Sequence, residues 1–186
     1  RLEGSDWRVL VDGFNDHSGV VGSLDGEIYL LTDINAPKYR LVSVNSSQDI
    51  SDSELWKDII PQSDNLLESA ELSAGRLFAT FLRKACNVVV SYDFNGSDSK
   101  EISLPSEVGS VGGFSGKMNA SEIFYAFTSF THPASIYKYD PVLNKSELYS
   151  SPNVRFNPEE YVTKQVEYSS KDGTVVPMFI VHRKGL

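Results

Sequence analysis

The feature of this sequence that most resembles a catalytic motif is a serine between two glycines. Ser115 lies in Gly113-Phe-Ser-Gly-Lys117, which approaches the Gly-x-Ser-x-Gly turn that exposes the nucleophile of some hydrolases. That turn requires a glycine two residues after the serine, and Lys117 stands there instead. We therefore interpret Ser115 as a turn residue between two strands.

The remaining reactive side chains do not form a recognisable site. The acidic stretch from Asp93 to Asp98 resembles a calcium loop, but its twelfth position is Leu104, where a bidentate glutamate is needed. Cys86 follows two basic residues, yet no base or second thiol is near it in sequence, so it is interpreted as a modifiable but non-catalytic thiol. The three histidines lack metal-ligand spacing and are interpreted as surface or packing residues: His17, His132 and His182. We predict no catalytic, metal-binding or cofactor-binding residue in this chain.

Composition limits the partners. The formal net charge is −8 and no stretch concentrates lysine and arginine, so nucleic acid is not expected as a partner. The apolar fraction of 40% is enough for a folded core. No uninterrupted run of about 18 apolar residues is present to cross a bilayer, so no membrane association is expected.

Cysteine content and glycosylation signals favour different compartments. A single cysteine favours a reducing environment, and we predict a cytoplasmic location. Four Asn-x-Ser/Thr sequons would instead suit a secreted protein: Asn45, Asn95, Asn119 and Asn144. This short pattern is frequent in turns rich in serine and asparagine, and the sequence leaves their modification open.

An apolar and aromatic run occurs three times along the chain. The copies are Glu27-Ile-Tyr-Leu-Leu-Thr-Asp33, Arg76-Leu-Phe-Ala-Thr-Phe-Leu82 and Glu122-Ile-Phe-Tyr-Ala-Phe-Thr128, which begin 49 and 46 residues apart. A period of about 40–50 residues is typical of the four-stranded blades of a β-propeller. Six aromatic residues of these runs are predicted to pack between blades rather than to form a ligand cage: Tyr29, Phe78, Phe81, Phe124, Tyr125 and Phe127.

Turn residues divide the chain into three sets of four strands. The predicted strands are 19–23, 27–33, 39–45 and 55–60; 67–72, 76–83, 88–94 and 100–104; and 108–114, 122–130, 135–140 and 145–149. Trp7-Arg-Val-Leu-Val11 matches Trp56-Lys-Asp-Ile-Ile60 at the same 49-residue interval, so it is predicted to be the outer strand of a preceding blade. The chain starts without methionine and ends directly after a strand-like run, and we expect it to be a fragment.

The repeat stops at two prolines. In Ser151-Pro-Asn-Val-Arg-Phe-Asn-Pro158 they interrupt any strand ladder, which predicts a domain boundary. Two longer strands follow, at 163–169 and 174–182, and are expected to pair with each other away from the blades. The predicted organisation is all-β, with propeller blades over residues 1–152, a linker over 153–162 and the start of another domain over 163–186.

Four ordered stretches resemble the prolyl oligopeptidase family. The most specific is Tyr168-Ser-Ser-Lys-Asp-Gly-Thr-Val-Val-Pro-Met-Phe-Ile-Val-His-Arg-Lys-Gly185, which is similar to the segment that leaves the propeller of these enzymes and begins their α/β-hydrolase domain. The others are Asn35-Ala-Pro-Lys-Tyr-Arg-Leu41, Leu104-Pro-Ser-Glu-Val-Gly-Ser-Val-Gly-Gly-Phe-Ser-Gly116 and Glu122-Ile-Phe-Tyr-Ala-Phe-Thr-Ser-Phe130.

The resemblance implies a serine peptidase that cleaves short peptides after proline. It implies a seven-bladed propeller, of which this chain would hold the end of blade four, blades five to seven and the first hairpin of the peptidase domain. The Ser, Asp and His triad of the family would lie outside the chain. The implied role of the segment is therefore gating, in which the propeller packs on its own catalytic domain and restricts substrate size.

Two alternatives stay open at this stage. Some members of the family close peptides into rings instead of hydrolysing them, and no residue here separates the two outcomes. A non-enzymatic propeller that binds other proteins is the other alternative, although the hairpin after the linker would have no role in it.

Overall fold

The computed structural model describes residues 7–186 of the chain, and these form an all-β structure. Fourteen strands build three four-stranded antiparallel sheets and one two-stranded hairpin. Sheet 1 contains β1 Ser18–Leu24, β2 Glu27–Thr32, β3 Arg40–Asn45 and β4 Lys57–Ile60. Sheet 2 contains β5 Leu66–Ser73, β6 Arg76–Arg83, β7 Cys86–Tyr92 and β8 Lys100–Glu101. Sheet 3 contains β9 Ser110–Ser115, β10 Ile123–Thr128, β11 Ser135–Asp140 and β12 Lys145–Ser150. The hairpin is β13 Tyr161–Ser169 with β14 Val175–Arg183.

The predicted repeat is confirmed by strand position. β2, β6 and β10, which carry the three similar runs, are each the second strand of their sheet. A further shared feature was not visible in the sequence: in each sheet the pairing of the first and second strands is interrupted by a bulge. A bulge increases local twist, and its presence between the first two strands of every sheet supports a common structural unit.

The tight turns follow the backbone requirements that their residues predict. Asp25-Gly26 between β1 and β2, and Ala74-Gly75 between β5 and β6, have positive φ at both positions. Turns of this type match the right-handed twist of a hairpin, and glycine at the second position adopts positive φ without strain.

The sheets stack face to face in chain order. One buried cluster lies between sheets 1 and 2 and includes Tyr29, Leu41, Leu77 and Phe81. A second lies between sheets 2 and 3 and includes Phe78, Val89, Phe114, Ile123, Tyr125 and Tyr139. Fully burying one such side chain stabilises a protein by about 1.5–3 kcal/mol. The first strands of neighbouring sheets also contact each other, β1 with β5 and β5 with β9. This arrangement is consistent with part of a β-propeller.

One glycine permits close contact between sheets 1 and 2. Gly96, in the turn before β8, has φ +85 and a Cβ placed there would lie 2.1 Å from the carbonyl oxygen of Ile59. In the same turn the Phe94 carbonyl accepts a hydrogen bond of 3.1 Å from the Tyr29 hydroxyl. The turn of sheet 2 is thereby held against sheet 1.

The predicted strand over residues 7–11 is not formed. This segment has no strand pairing, and Trp7 is 82% exposed, whereas Trp56 at the matching position is 8% exposed and donates its indole N–H to Ile50. The physical reason is that no other strand runs beside residues 7–11 in the described structure. Leu10 and Val11 instead pack against the outer face of sheet 1.

The strand ends lie within two residues of their predicted positions, with one exception. β8 contains only Lys100 and Glu101, whereas a strand over 100–104 was expected. Ile102 continues the pairing with one hydrogen bond, from its N–H to the Val89 carbonyl, and its side chain joins the core between sheets 2 and 3. Among residues 7–186, no helix has the length and apolarity needed to cross a membrane.

Candidate functional site

The expectation that Ser115 is a turn residue between two strands was wrong, because the structure places it within a strand. It ends β9, is exposed, and lies opposite Phe124 in the ladder. In the described part of the chain, no hydrogen bond connects its hydroxyl to a histidine. The three histidines lie in different elements: His17 precedes β1 and bonds Asp33, His132 lies in the loop after β10, and His182 lies on β14. The structure does not bring these residues together.

The acidic turn between β7 and β8 is neutralised by basic side chains. Arg76 Nη1 lies 2.9 Å from Asp93 Oδ1 and 3.0 Å from Asp98 Oδ2, and Lys100 Nζ lies 3.0 Å from Asp98. Hydrogen bonds from Lys100 and then Arg76 lower the pKa of Asp98. These carboxylates are already paired. Nor do the described residues include any group of three acidic, histidine or cysteine side chains that could hold a metal ion.

Cys86 begins β7 and is 5% exposed. The neighbouring Arg83 pairs with Glu101 at 3.2 Å, and Lys84 pairs with Glu167 at 2.7 Å, so both basic groups that precede the cysteine have carboxylate partners. Its burial agrees with a packing role.

Three of the four sequon asparagines have structural contacts. The Asn45 amide donates to Glu27, Asn95 accepts from the backbone and hydroxyl of Ser97, and Asn144 accepts from the Tyr139 hydroxyl. Asn119 is exposed. The serine two residues after Asn95 completes a local turn, which explains this sequon by turn geometry.

Five of the six aromatic residues singled out in the repeats pack between sheets. Tyr29 and Phe81 belong to the cluster between sheets 1 and 2, and Phe78, Tyr125 and Phe127 to the cluster between sheets 2 and 3. Phe124 differs because alternation along β10 directs it to the other face of sheet 3, where its ring lies 5.0 Å from that of Tyr149. The predicted packing between sheets is confirmed for five of the six residues. It stays a prediction for Phe124, because no described sheet covers that face of sheet 3.

The hairpin forms a two-stranded sheet separate from sheets 1 to 3. β13 and β14 pair only with each other, from Tyr161 opposite Arg183 to Ser169 opposite Val175. The prediction that these two strands pair with each other outside the three sheets is confirmed. Their side chains also contact the connections that follow β6 and β10. We refer to this contact region as the junction.

Four side-chain contacts form the junction. Gln165 Nε2 donates to the Lys84 carbonyl, and Lys84 Nζ lies 2.7 Å from Glu167 Oε1. Phe179 lies with its ring centroid 5.3 Å from that of Phe130. Thr163 Oγ1 lies 3.5 Å from Thr131 Oγ1.

Two clefts open beside the junction. One of about 500 Å³ is lined by Lys84, Cys86, Glu101 and Gln165 among others. The other, of about 310 Å³, lies between the connections of sheets 2 and 3 and is lined by Ala85, Phe130 and Phe179 among others. Each cleft includes one hairpin residue, so the hairpin forms part of the wall of both.

Sequence reasoning did not find the junction. The turn Lys84-Ala85 has positive φ at both residues, 51° and 62°, although neither residue is of a type that favours this conformation. Gln165 and Lys84 are 81 residues apart. The position of a polar residue such as Gln165 in a strand does not indicate which distant residue it will contact.

Comparison with known proteins establishes the family. The sequence profile described as the prolyl oligopeptidase N-terminal β-propeller domain matches residues 1–152. The chain belongs to the prolyl oligopeptidase family. The profile ends at the residue where the sequence predicted the end of the blades.

The similar proteins include several enzymes of this family. The prolyl endopeptidase of Elizabethkingia meningoseptica is 37% identical over 182 residues, which are 98% of this chain and 25% of the relative. The prolyl endopeptidase of Dictyostelium discoideum is 33% identical over 191 residues, covering 95% of this chain and 24% of the relative. A dual function macrocyclase-peptidase of Amanita bisporigera is 28% identical over 184 residues, covering 96% and 24%. The chain thus spans about a quarter of the length of these relatives.

Solved structures show the same fold. One, from a structural and mechanistic comparison of two prolyl endopeptidases, superposes with a TM-score of 0.87 at 36% identity and covers 100% of this chain and 27% of that one. Prolyl oligopeptidase B from Galerina marginata superposes with a TM-score of 0.83 at 24% identity, covering 98% and 26%.

Proposed function

We propose that this chain is part of a serine endopeptidase that cleaves short peptides after proline. The observation that carries the proposal is the 37% identity to a prolyl endopeptidase over 98% of the chain, which extends through the linker into the hairpin. A match limited to residues 1–152 would concern the propeller alone. A match that includes the hairpin favours a chain that continues into a peptidase domain.

The proposed role of the three sheets is to restrict the size of the substrate. In this proposal they belong to a closed, seven-bladed propeller above the catalytic residues, and folded proteins are too large for the routes that remain. Exclusion of water by such a cover also strengthens electrostatic interactions at the catalytic site. The hairpin, resting on sheets 2 and 3, is proposed to be the first element of the α/β-hydrolase domain.

No catalytic residue or cofactor is assigned to this chain. The nucleophile, base and orienting acid are proposed to lie in other parts of the parent protein. Short proline-containing peptides are the proposed substrates, and the parent's own catalytic domain is the proposed partner of the propeller. The single, buried Cys86 supports a reducing, cytoplasmic location.

Ring closure of peptides is a second candidate activity. The observation that favours it is the 28% identity to a dual function macrocyclase-peptidase. In that reaction an amine of the same peptide, instead of water, would take the acyl group from the enzyme. A protein-binding propeller without catalysis is the remaining alternative.

The experiment that tests the proposal uses the complete parent enzyme. We expect cleavage after proline in a short reporter peptide and no cleavage of the same sequence placed within a folded domain. Release of the same sequence from that domain as a short peptide should restore cleavage. Mass spectrometry of the products separates hydrolysis, which adds one water, from ring closure, which does not. Equal cleavage of the whole domain and of the released peptide would contradict size selection, and absence of any product would favour the binding scaffold.

A further inference from the structure

One face of the hairpin carries the four side-chain contacts that form the junction. Thr163, Gln165 and Glu167 alternate along β13 and therefore point to the same side. Phe179 lies opposite Gln165 in the ladder, so it shares that side. Each of these four residues has a partner in sheet 2 or sheet 3 or in their connections.

Lys84 is the residue that receives most of the polar contacts. Its carbonyl accepts from Gln165, and its ammonium group pairs with Glu167. Gln165 and Glu167 are two residues apart on β13, so a single turn residue bonds two successive positions of one hairpin face. The left-handed backbone of Lys84 and Ala85 forms the tight turn that carries both groups.

These contacts are weak enough to break and form again. The side chains of Lys84 and Glu167 are 65% and 44% exposed, and ion pairs in such surroundings contribute little to stability. The hairpin forms no backbone ladder with the other described strands, and residues 151–160 before it contain no strand. Separation of the hairpin from the sheets would therefore leave every strand pairing intact.

We propose that Lys84, Gln165 and Glu167 form a releasable latch between the propeller and the domain that begins with the hairpin. In the closed state the latch holds the hairpin on the turn after β6. Its release lets the two units separate along the linker, and the time spent open sets the length of peptide that is admitted. This inference rests on the proposed size selection and assigns it to specific contacts.

Charge reversal in the complete parent enzyme tests the latch. Lys84→Glu and Glu167→Lys each place like charges at the junction, and the double variant restores an opposite pair. The matched control is the pair Lys145 and Glu147, which has a similar Nζ to Oε1 distance of 3.0 Å and similar exposure but lies on β12 away from the hairpin. The control variants are Lys145→Glu, Glu147→Lys and their combination.

The first measurement is independent of catalysis. We expect each single reversal at the junction to increase hydrogen exchange in the β6–β7 turn and proteolytic cleavage of residues 153–157 by about two- to fivefold, as befits loss of an exposed ion pair. The double variant should return both rates to those of the unaltered enzyme, and high salt should reduce the differences. The control variants should match the unaltered enzyme.

The second measurement uses two peptides of different length with the same cleavage site. Each single reversal should raise kcat/KM for the longer peptide relative to the shorter one, and the double variant should reverse the change. Single reversals that behave like the controls, or a double variant that restores nothing, would overturn the latch. A parent enzyme that cleaves neither peptide would disprove the proposed activity, while the exchange and proteolysis rates would still decide whether the latch exists.

Discussion

The turn between β6 and β7 is unusual because its two residues in left-handed conformation, Lys84 and Ala85, are not glycine. Comparable turns in sheets 1 and 2 have glycine second, at Gly26 and Gly75, whereas Ala85 occupies this position here with φ 62°. A residue with a Cβ costs about 1–2 kcal/mol in this region compared with the right-handed one. Lysine and alanine are not typical of such turns, so the sequence did not predict this left-handed conformation.

Ala85→Gly should therefore stabilise the protein. We expect the free energy of unfolding of the parent enzyme in urea to rise by about 0.5–1 kcal/mol, because relief of strain exceeds the added entropy of the unfolded chain. The control is Ala126→Gly in β10, where φ is not left-handed and the same change should lower stability by about 0.5–1 kcal/mol. A loss of stability with Ala85→Gly would show that packing of the Ala85 methyl group stabilises the protein by more than the backbone strain destabilises it.

Glu71 is a carboxyl group on β5 that the sheets partly bury. Desolvation raises its pKa above the usual 4.5, and a 3.4 Å hydrogen bond from Ser69 opposes this rise only in part. Its Oε2 is buried without a hydrogen-bond partner among the described residues. Burial in the folded state disfavours the charged form of Glu71. The contribution of this group to the free energy of unfolding is therefore lowest at pH values above its folded pKa.

Glu71→Gln should consequently give a pH-dependent gain in stability. Near neutral pH the variant should unfold at a higher urea concentration than the unaltered parent. The neutral amide avoids the cost of removing a charged carboxylate from water. Below pH 4.5, where the carboxyl is protonated in both states, the advantage should disappear. Unfolding curves at several pH values measure this, and a variant that is less stable at neutral pH would reveal a favourable partner of the carboxylate.

At the scale of elements, the turn chemistry was the most informative part of the sequence. Asp25-Gly26 and Ala74-Gly75 placed two hairpins correctly, and the aromatic runs placed the second strand of every sheet. Trp7-Arg-Val-Leu-Val11 has the composition of a strand but no neighbour to pair with in the described structure, and pairing is a property of two strands. The face that Phe124 occupies was not predicted, because an aromatic run does not indicate which side of the sheet each of its residues faces.

The segment between sheet 3 and the hairpin should be the first site of proteolytic cleavage. Residues 151–160 form no strand, and most of their side chains are exposed. Limited proteolysis of the parent enzyme should cut within residues 153–157 before it cuts any strand of the three sheets. Mass spectrometry of the first two fragments identifies the position. Protection equal to that of the sheets would count against mobility of this segment.

At the scale of the molecule, the outer face of sheet 3 and one side of the hairpin expose apolar residues. Phe124, Ile136 and Tyr149 lie on the outer part of sheet 3, with Ile136 39% and Tyr149 67% exposed. On the hairpin, Met178 and Ile180 are each 41% exposed. The stacking order could be predicted from the repeat, but the junction could not, because it depends on how two separate units meet.

This chain made alone should associate and should not cleave peptides. Contiguous apolar patches beyond a few hundred Å² tend to drive association, and repeat structures need covered ends to remain soluble. No hydrogen bond in residues 7–186 connects Ser115 to a histidine, and the histidines lie in separate elements. We expect the purified chain to elute as an oligomer or aggregate in size-exclusion chromatography and to release no product from a Gly-Pro reporter peptide. A monodisperse monomer with a cooperative unfolding transition would contradict the first half of this prediction. Turnover that is abolished by Ser115→Ala would contradict the second, because it would place the nucleophile in a strand end that has no catalytic base beside it.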